Sequence, residues 1–302
     1  MSDENEPQPA NLWIQNLLEW SGIVRQKRAR QCDGGLEKAD GRRNVETQPG
    51  PDFLLLGAMK SGTTSLFHYI GQHPDMLMPS SKEIHYYDRY RYSGWSLDNY
   101  LNEFPEKPAG KISGEATPFY LRHPHAPAWV VEDFPDVSLI ALLRNPVDRA
   151  YSHYVQRFQK GKESEDFLSL VQREEADTAE SWSAWRADPE TKVQLAQKHS
   201  FLSRGRYAEQ IEAWLAHFAR EDLHVLFAED LLANPDRELD AVFSHLGLEP
   251  IKVDFGRKLN RRRYEPMSAE ARIWLEDYFA PQNAALADLL ERDLPPSWQS
   301  GS

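Results

Sequence analysis

The stretch Phe53-Leu54-Leu55-Leu56-Gly57-Ala58-Met59-Lys60-Ser61-Gly62-Thr63-Thr64-Ser65-Leu66-Phe67 decides the fold of this chain. It begins with an apolar run of strand length, passes through a turn of small residues and ends in the first turns of a helix. Unpaired N–H groups at a helix start, together with the helix dipole, favour a bound anion. The stretch therefore predicts an α/β domain that binds a phosphate after its first strand.

The phosphate loop departs from that of ordinary nucleotide-binding proteins. The Walker A loop has Gly, four residues, Gly, Lys and then Ser or Thr. Gly57 and Gly62 keep this spacing, but Thr63 occupies the lysine position and the lysine lies earlier, at Lys60. We therefore do not expect a standard ATP or GTP loop.

Length and charge limit the possible classes of function. The chain has 302 residues and a formal net charge of −12. This acidity argues against a general nucleic-acid-binding protein, because such proteins present basic surfaces to phosphate backbones. The single cysteine, Cys32, leaves no pair for an internal disulfide. No apolar run of roughly 18 residues is present, so we expect no transmembrane segment and a cytoplasmic location.

The chain divides into three parts by composition. A polar N-terminal extension (1–50) contains one amphipathic helix at about 11–30, followed by a Gly- and charge-rich linker. The helix is interpreted as packed on the main domain, as docked to a partner protein or as lying on a membrane surface. The main domain spans 51–295, and a short tail (296–302) follows.

Within the main domain the sequence predicts a central parallel sheet flanked by helices. The apolar run 137–143 is the clearest strand, since a parallel strand is buried on both faces. Residues 160–200 are interpreted as a helical excursion without a core of its own. From Ser268 a helix is expected that Pro281 interrupts before a final helix begins. Further strands are predicted at 53–57, 111–118 and 223–228, and further helices at 63–72, 147–159, 204–218 and 239–246.

A second candidate phosphate site follows the strand at 137–143. Arg144 ends this strand, and Ser152 lies two turns into the next helix. Ligands of open α/β sheets bind beyond the carboxyl ends of strands, so both side chains could reach one phosphate. A structural ion pair is the alternative for Arg144.

The two segments together resemble sulfotransferases that use 3′-phosphoadenosine 5′-phosphosulfate (PAPS), which have a P-loop-like fold. Lys60, Ser61, Gly62, Thr63, Thr64 and Ser65 look like the loop that binds the 5′-phosphosulfate. Arg144 and Ser152 match the residues that hold the 3′-phosphate. The segments 82–88, 114–120, 205–207 and 229–231 are similar to those of heparan sulfate N- and 3-O-sulfotransferases and of bacterial carbohydrate and small-molecule sulfotransferases. The resemblance covers about 53–292.

The resemblance implies a mechanism without a metal ion. Lys60 stabilises the charge that develops on the leaving phosphate, by the logic of phosphoryl transfer. Glu83 matches the catalytic base, and we expect its pKa to be raised beside an anionic ligand. His85 is a substrate contact or a second base, and shares a side with Glu83 only if the segment is extended. Acceptor contacts are predicted for His85, Tyr86, Tyr87, Asp88, Thr117 and Tyr120.

Two departures from the heparan sulfate enzymes affect these expectations. Ala116 replaces a lysine that contacts the glycan, which disfavours a strongly anionic glycan acceptor. The C-terminal loop lacks the expected glycine, but we still expect cofactor contacts from part of it. Its alternative is a solvated basic loop. The residues concerned are Arg261, Arg262, Arg263 and Tyr264.

The sequence thus predicts a PAPS-dependent sulfotransferase. Its acceptor is a small molecule, such as a secondary metabolite, or a carbohydrate, with a hydroxyl favoured over an amine. A P-loop nucleotide kinase or NTPase is one alternative, although Thr63 and Arg144 stand where it needs a lysine and a magnesium-binding acid. A non-catalytic binding protein on the same scaffold is the other.

Overall fold

The computed structural model of the chain describes residues 50–188, 191, 198–256 and 265–299. The predicted helix at 11–30 and the cofactor contacts predicted at 261–264 lie outside these residues.

A parallel sheet forms the centre of the described domain. Its five strands are arranged in the order β2-β3-β1-β4-β5, and every neighbouring pair is parallel. The predicted α/β architecture is confirmed. The strands are β1 (Phe53–Gly57), β2 (Met76–Leu77), β3 (Ile112–Glu115), β4 (Ser138–Leu143) and β5 (Leu223–Phe227).

Helices cover both faces of the sheet. Leu54 of β1 points into one core, whereas Leu55 points into the other, so alternate residues of a continuous apolar run serve opposite layers. The first core includes side chains of α3, α6 and α9, and the second includes those of α1 and α8. The helices are α1 (Thr63–Ile70), α2 (Leu97–Leu101), α3 (Ala126–Asp133), α4 (Pro146–Gln159), α5 (Phe167–Ala187), α6 (Tyr207–Leu215), α7 (Ala228–Ala233), α8 (Pro235–His245) and α9 (Ala269–Leu290).

The predicted break at Pro281 is wrong, because α9 continues through it to Leu290. A proline inside a helix removes one main-chain hydrogen bond and usually kinks or ends the helix. Here Phe279 before the proline and Leu286 after it are both buried in the domain. We infer that this packing outweighs the local cost.

The excursion predicted at 160–200 contains α5, which packs on the rest of the domain. Phe167, Leu170 and Val171 in its first turns join a third hydrophobic core with residues of α4 and α9. A helix was expected in this region, but the packing partners of its apolar residues could not be predicted from the sequence.

The domain also continues beyond the predicted boundary at 295. Trp298 is 6% exposed, and its ring centroid lies 5.1 Å from that of Phe227 and 5.9 Å from that of Tyr207. The side-chain amide of Asn145 donates a hydrogen bond to the Ser297 carbonyl at 2.6 Å. Residues up to Trp298 are therefore part of the core and not of a tail.

Trp298→Ala is expected to lower the free energy of unfolding by about 3–5 kcal/mol, because it leaves a cavity against buried rings. Ile273→Ala is the control, since Ile273 is 60% exposed and a surface truncation usually changes stability by about 0.5 kcal/mol or less. Urea unfolding measures both. Equal, small losses would contradict the assignment of Trp298 to the core.

Candidate active site

The phosphate loop lies between β1 and α1 and depends on a left-handed backbone. Lys60 has a φ of +77°, and Gly62, which caps α1, has a φ of +102°. A Cβ at Gly62 would find its nearest neighbour at 3.7 Å, so the glycine is needed for its conformation and not for space. The main-chain N–H groups of Thr63 and Thr64 open the helix, where no earlier turn supplies acceptors. This geometry favours an anion.

Arg144 extends from β4, the neighbour of β1, to the same loop. Its Nη1 donates to the Lys60 carbonyl at 3.2 Å, and its own carbonyl accepts from the Tyr207 hydroxyl at 2.8 Å. No carboxylate of the described residues forms an ion pair with Arg144, so the alternative of a structural ion pair is not supported. The guanidinium therefore lies beside the phosphate loop, and its predicted contact with a second phosphate stays a prediction.

Ser152 lies on α4, whose start is fixed next to Arg144. The Asn145 side chain caps this helix by accepting from the Val147 N–H at 2.9 Å. The Asn145 N–H donates in turn to the Glu229 carboxylate, also at 2.9 Å, which explains the acidic residue after β5. That Ser152 and Arg144 hold one phosphate stays a prediction.

A carboxylate–imidazole–carboxylate chain forms the second half of the site. Glu83 is paired with Lys82 at 2.8 Å, and its other oxygen lies 3.5 Å from Nε2 of His85. Nδ1 of His85 lies 3.0 Å from the buried carboxylate of Asp88. His85 has a φ of +61° and starts a single π-helical turn, Tyr86–Tyr90. A tight turn thus brings Glu83 and His85 together. The expectation that they share a side only in an extended segment is wrong.

The pKa values of Glu83 and His85 differ from those expected from the sequence. Burial raises the pKa of Glu83, but hydrogen bonds from His85 and Lys82 outweigh it and lower the pKa to about 2. The expected raised pKa is therefore wrong. Burial lowers the pKa of His85, but its hydrogen bonds to Asp88 and Glu83 raise it to about 9. With this pKa the His85 ring is protonated near neutral pH, which favours a substrate contact over a second base, and both roles stay predictions.

Glu115, at the end of β3, anchors this half of the site. Its carboxylate is fully buried, and burial raises its pKa. Its role could not be predicted from the sequence, in which it is one acidic residue within the strand expected at 111–118. Four groups donate to it: Ile84 N–H (3.1 Å), the Tyr100 hydroxyl (2.9 Å), the Thr117 hydroxyl (2.5 Å) and the Tyr120 hydroxyl (2.8 Å). Thr117 also accepts from the His85 N–H at 3.3 Å, so the network holds the two residues that follow Glu83.

Most of the predicted acceptor contacts belong to the protein interior. Tyr87 and Thr117 are fully buried, and the Tyr87 hydroxyl donates to Asp133 at 3.0 Å. Tyr120 is fully buried as well, and Tyr86 and Asp88 are less than a tenth exposed. These five residues therefore support the site from behind in this structure, and their contacts with an acceptor stay predictions. The turn after His85 directs its tyrosines inward.

Two features are absent from the described part of the chain: a membrane-spanning helix and a metal-binding group. None of its helices is long and apolar enough to cross a membrane. It contains no group of three or more His, Cys, Asp or Glu residues that could hold a metal ion.

The fold and site define a class of protein. A parallel sheet carries an anion-binding loop after β1, an arginine after the adjacent strand and an ionised carboxylate at a third position. This is the arrangement of a group-transfer enzyme with a phosphate-containing donor. The chain belongs to the sulfotransferase domain family, whose model matches residues 50–282.

Individual relatives agree with this assignment. The chain is 26% identical over 319 residues to the membrane-associated sulfotransferase kil1 of Dictyostelium discoideum, covering 83% of this chain and 67% of that protein. It is 33% identical over 208 residues to the heparan sulfate glucosamine 3-O-sulfotransferase 3B1 of Mus musculus, covering 68% of this chain. It spans about half (48%) of that mouse protein. A sulfotransferase crystal structure from Alicyclobacillus acidocaldarius is 28% identical with a TM-score of 0.68, covering 82% of this chain and 98% of that one.

The raised pKa of His85 predicts a pH dependence of stability. The folded pKa of about 9 exceeds the ordinary value of 6.5. This stabilisation is therefore full below pH 6.5 and is lost as the pH rises through about 9. The measurements are urea unfolding between these pH values and NMR titration of the His85 ring.

Asp88→Asn is expected to lower the pKa of His85 and to flatten that pH dependence. Asp98→Asn, at an exposed position on α2, is the matched control and leaves both unchanged. An unaltered His85 titration in Asp88→Asn would contradict the described contact.

Proposed function

We propose that this sulfotransferase moves the sulfuryl group of PAPS to a hydroxyl, in preference to an amine, of a carbohydrate or small molecule. The contact between Arg144 and the Lys60 carbonyl carries this proposal. It ties a cation after β4 to the phosphate loop after β1, so that one ligand with two separated phosphates can reach both.

The residues fit the two ends of this donor. The α1 N-terminus, with Lys60 and the hydroxyls of Thr63, Thr64 and Ser65, suits the 5′-phosphosulfate. Arg144 and Ser152 suit the 3′-phosphate, since Arg offers a planar fork of donors and Ser a hydroxyl. Residues 261–264 are proposed as further donor contacts on the basis of their sequence alone.

The reaction is an in-line displacement at sulfur. A bond forms between the acceptor oxygen and sulfur while the bond from sulfur to the bridging phosphate oxygen breaks. The negative charge that leaves with the phosphate is stabilised by Lys60. The proton of the acceptor hydroxyl passes to the Glu83 carboxylate.

Glu83 is ionised and accessible to an acceptor, although its low pKa makes it a weaker base than a carboxylate that titrates near neutral pH. Its pKa of about 2 keeps it ionised, and its side chain is 41% exposed, so an acceptor can approach it. His85 is a positioning residue: Asp88 orients the ring, and the ring fixes one oxygen of Glu83. The carboxylate therefore meets the acceptor in a defined orientation.

The acceptor class rests on the relatives. The mouse relative is named for heparan sulfate glucosamine, which favours a carbohydrate acceptor here, while a small molecule remains the alternative. The cytoplasmic location also stays a prediction, because the Dictyostelium relative is named as membrane-associated.

Donor preference is tested by calorimetric titration with 3′-phosphoadenosine 5′-phosphate (PAP) and, separately, with ATP plus magnesium. We expect PAP to bind at least about tenfold more tightly, and Arg144→Ala to weaken PAP by about tenfold or more, since charged hydrogen bonds contribute roughly 1.5–3 kcal/mol. Preference for ATP would favour the nucleotide kinase or NTPase instead.

Glu83→Gln is expected to lower the rate of PAP release from PAPS by about 100-fold or more, with the cell extract of the source organism as acceptor mixture. Its PAP affinity should stay within about twofold. Glu132→Gln, whose side chain is 69% exposed, is the control with unchanged rate. An unchanged rate in Glu83→Gln would favour a non-catalytic role for this site.

A further inference from the structure

Three arginines are buried together behind the candidate active site. Arg122 lies in the turn after β3, Arg149 on α4 and Arg204 in the turn before α6, and each is less than a tenth exposed. Glu174 of α5 is the carboxylate whose charge acts on all three. Burying charge without a matched partner is costly.

Glu174 is already engaged by the main chain. Its carboxylate accepts from the N–H groups of Phe201, Leu202 and Ser203 at 2.7, 2.8 and 3.0 Å. One carboxylate therefore fixes the turn that carries Arg204 and faces three guanidinium groups. The cluster carries an excess of positive charge.

Several buried polar atoms of this cluster lack hydrogen-bond partners among the described residues. They are Nη1 of Arg204, Nε and Nη1 of Arg149, and Nδ1 of His153. Burial and the charge of Arg149 lower the pKa of Arg204 to about 9, and burial lowers that of His153 well below its usual range. Buried polar atoms are normally paired, so unpaired ones suggest a missing ligand.

Arg204 lies close to the residues that surround the Glu83–His85–Asp88 group. Its guanidinium carbon is 4.6 Å from the ring centre of Phe119. Phe119 lies two residues after Thr117, whose hydroxyl accepts a hydrogen bond from the His85 N–H. The charge of Asp88, the partner of His85, also acts on Arg204. The unpaired guanidinium nitrogen of Arg204 thus lies near the network formed by Glu83, His85 and Asp88.

Aromatic rings of α5 adjoin this cationic group. The guanidinium carbon of Arg122 lies 4.0 Å from the ring centre of Trp182. The Trp182 and Trp185 rings are 5.2 Å apart, and Phe119 is 5.9 Å from Trp185. Flat rings close to the guanidinium group of Arg204 suit a ligand with both a flat or apolar face and an anionic group.

We propose that Arg204, supported by Arg149, binds an anionic group of the acceptor. The acceptor is then a compact molecule that carries a carboxylate, phosphate or sulfate and a flat face beside the hydroxyl to be sulfated. This inference rests on the proposed sulfotransfer. It also revises the expectation drawn from Ala116, since an anion is recognised here by different residues.

The test uses protein saturated with PAP, so that the donor phosphate sites are filled. Benzoate and phenyl phosphate serve as anionic probes, benzamide as the neutral one and inorganic sulfate as an anion without a ring. Calorimetry gives the affinity of each for wild type, Arg204→Gln and Arg204→Met. Arg186→Gln is the matched control, because Arg186 also faces Trp182, at 5.5 Å, but has a 63% exposed side chain.

We expect wild type and Arg186→Gln to bind benzoate or phenyl phosphate at least about tenfold more tightly than benzamide. Both Arg204 variants should reduce this preference to within about twofold while their PAP affinity and circular dichroism stay unchanged. If the two variants do not fold, the preference of the wild type for anionic over neutral probes decides the test. Arg204→Lys is then expected to lose part of this preference.

Absence of an anionic preference in wild type, or its survival in Arg204→Gln, would overturn the proposal. Equally tight, Arg204-dependent binding of inorganic sulfate would also overturn it, because the anion would then occupy the sulfuryl position. Failure of the proposed function is told apart from failure of this inference at the first step, because PAP would then not bind. In that case the probes are titrated into the ligand-free protein.

Discussion

The hydrogen bonds to the buried carboxylate of Glu115 hold the half of the site that contains Glu83 and His85. The carboxylate gathers a main-chain N–H and three hydroxyls, and so ties the end of β3 to the turn that carries Glu83 and His85. Without this acceptor its four donors would be left unpaired, and an unpaired buried donor costs roughly 1–3 kcal/mol. The position of the proposed base is therefore fixed from the interior, although the base itself faces solvent.

The donor half is fixed differently, by the sheet itself. Parallel pairing of β1 with β4 places the phosphate loop and Arg144 at the same edge. The hydrogen bond from Arg144 to the Lys60 carbonyl, and the one from Tyr207 to the Arg144 carbonyl, then lock the two loops together. Each half of the site is thus anchored to its own strand.

Much of this arrangement could be predicted from the sequence. The strand at 53–57, the glycine-dependent loop and the arginine after 137–143 are local patterns, and their geometry follows from helix caps and parallel strands. The pKa of Glu83 could not be predicted, since it depends on a turn that brings His85 back to it. Nor could the inward packing of the tyrosines or the continuity of α9 through Pro281, which tertiary contacts decide.

A crystal structure of the protein with PAP tests the account most directly. We expect the 5′-phosphate at the α1 N-terminus within hydrogen-bond distance of Lys60, and the 3′-phosphate between Arg144 and Ser152. The Glu83 carboxylate should then face the open side of the 5′-phosphate, with the His85 contact intact. PAP bound away from the phosphate loop, or a 3′-phosphate that touches neither Arg144 nor Ser152, would contradict the account.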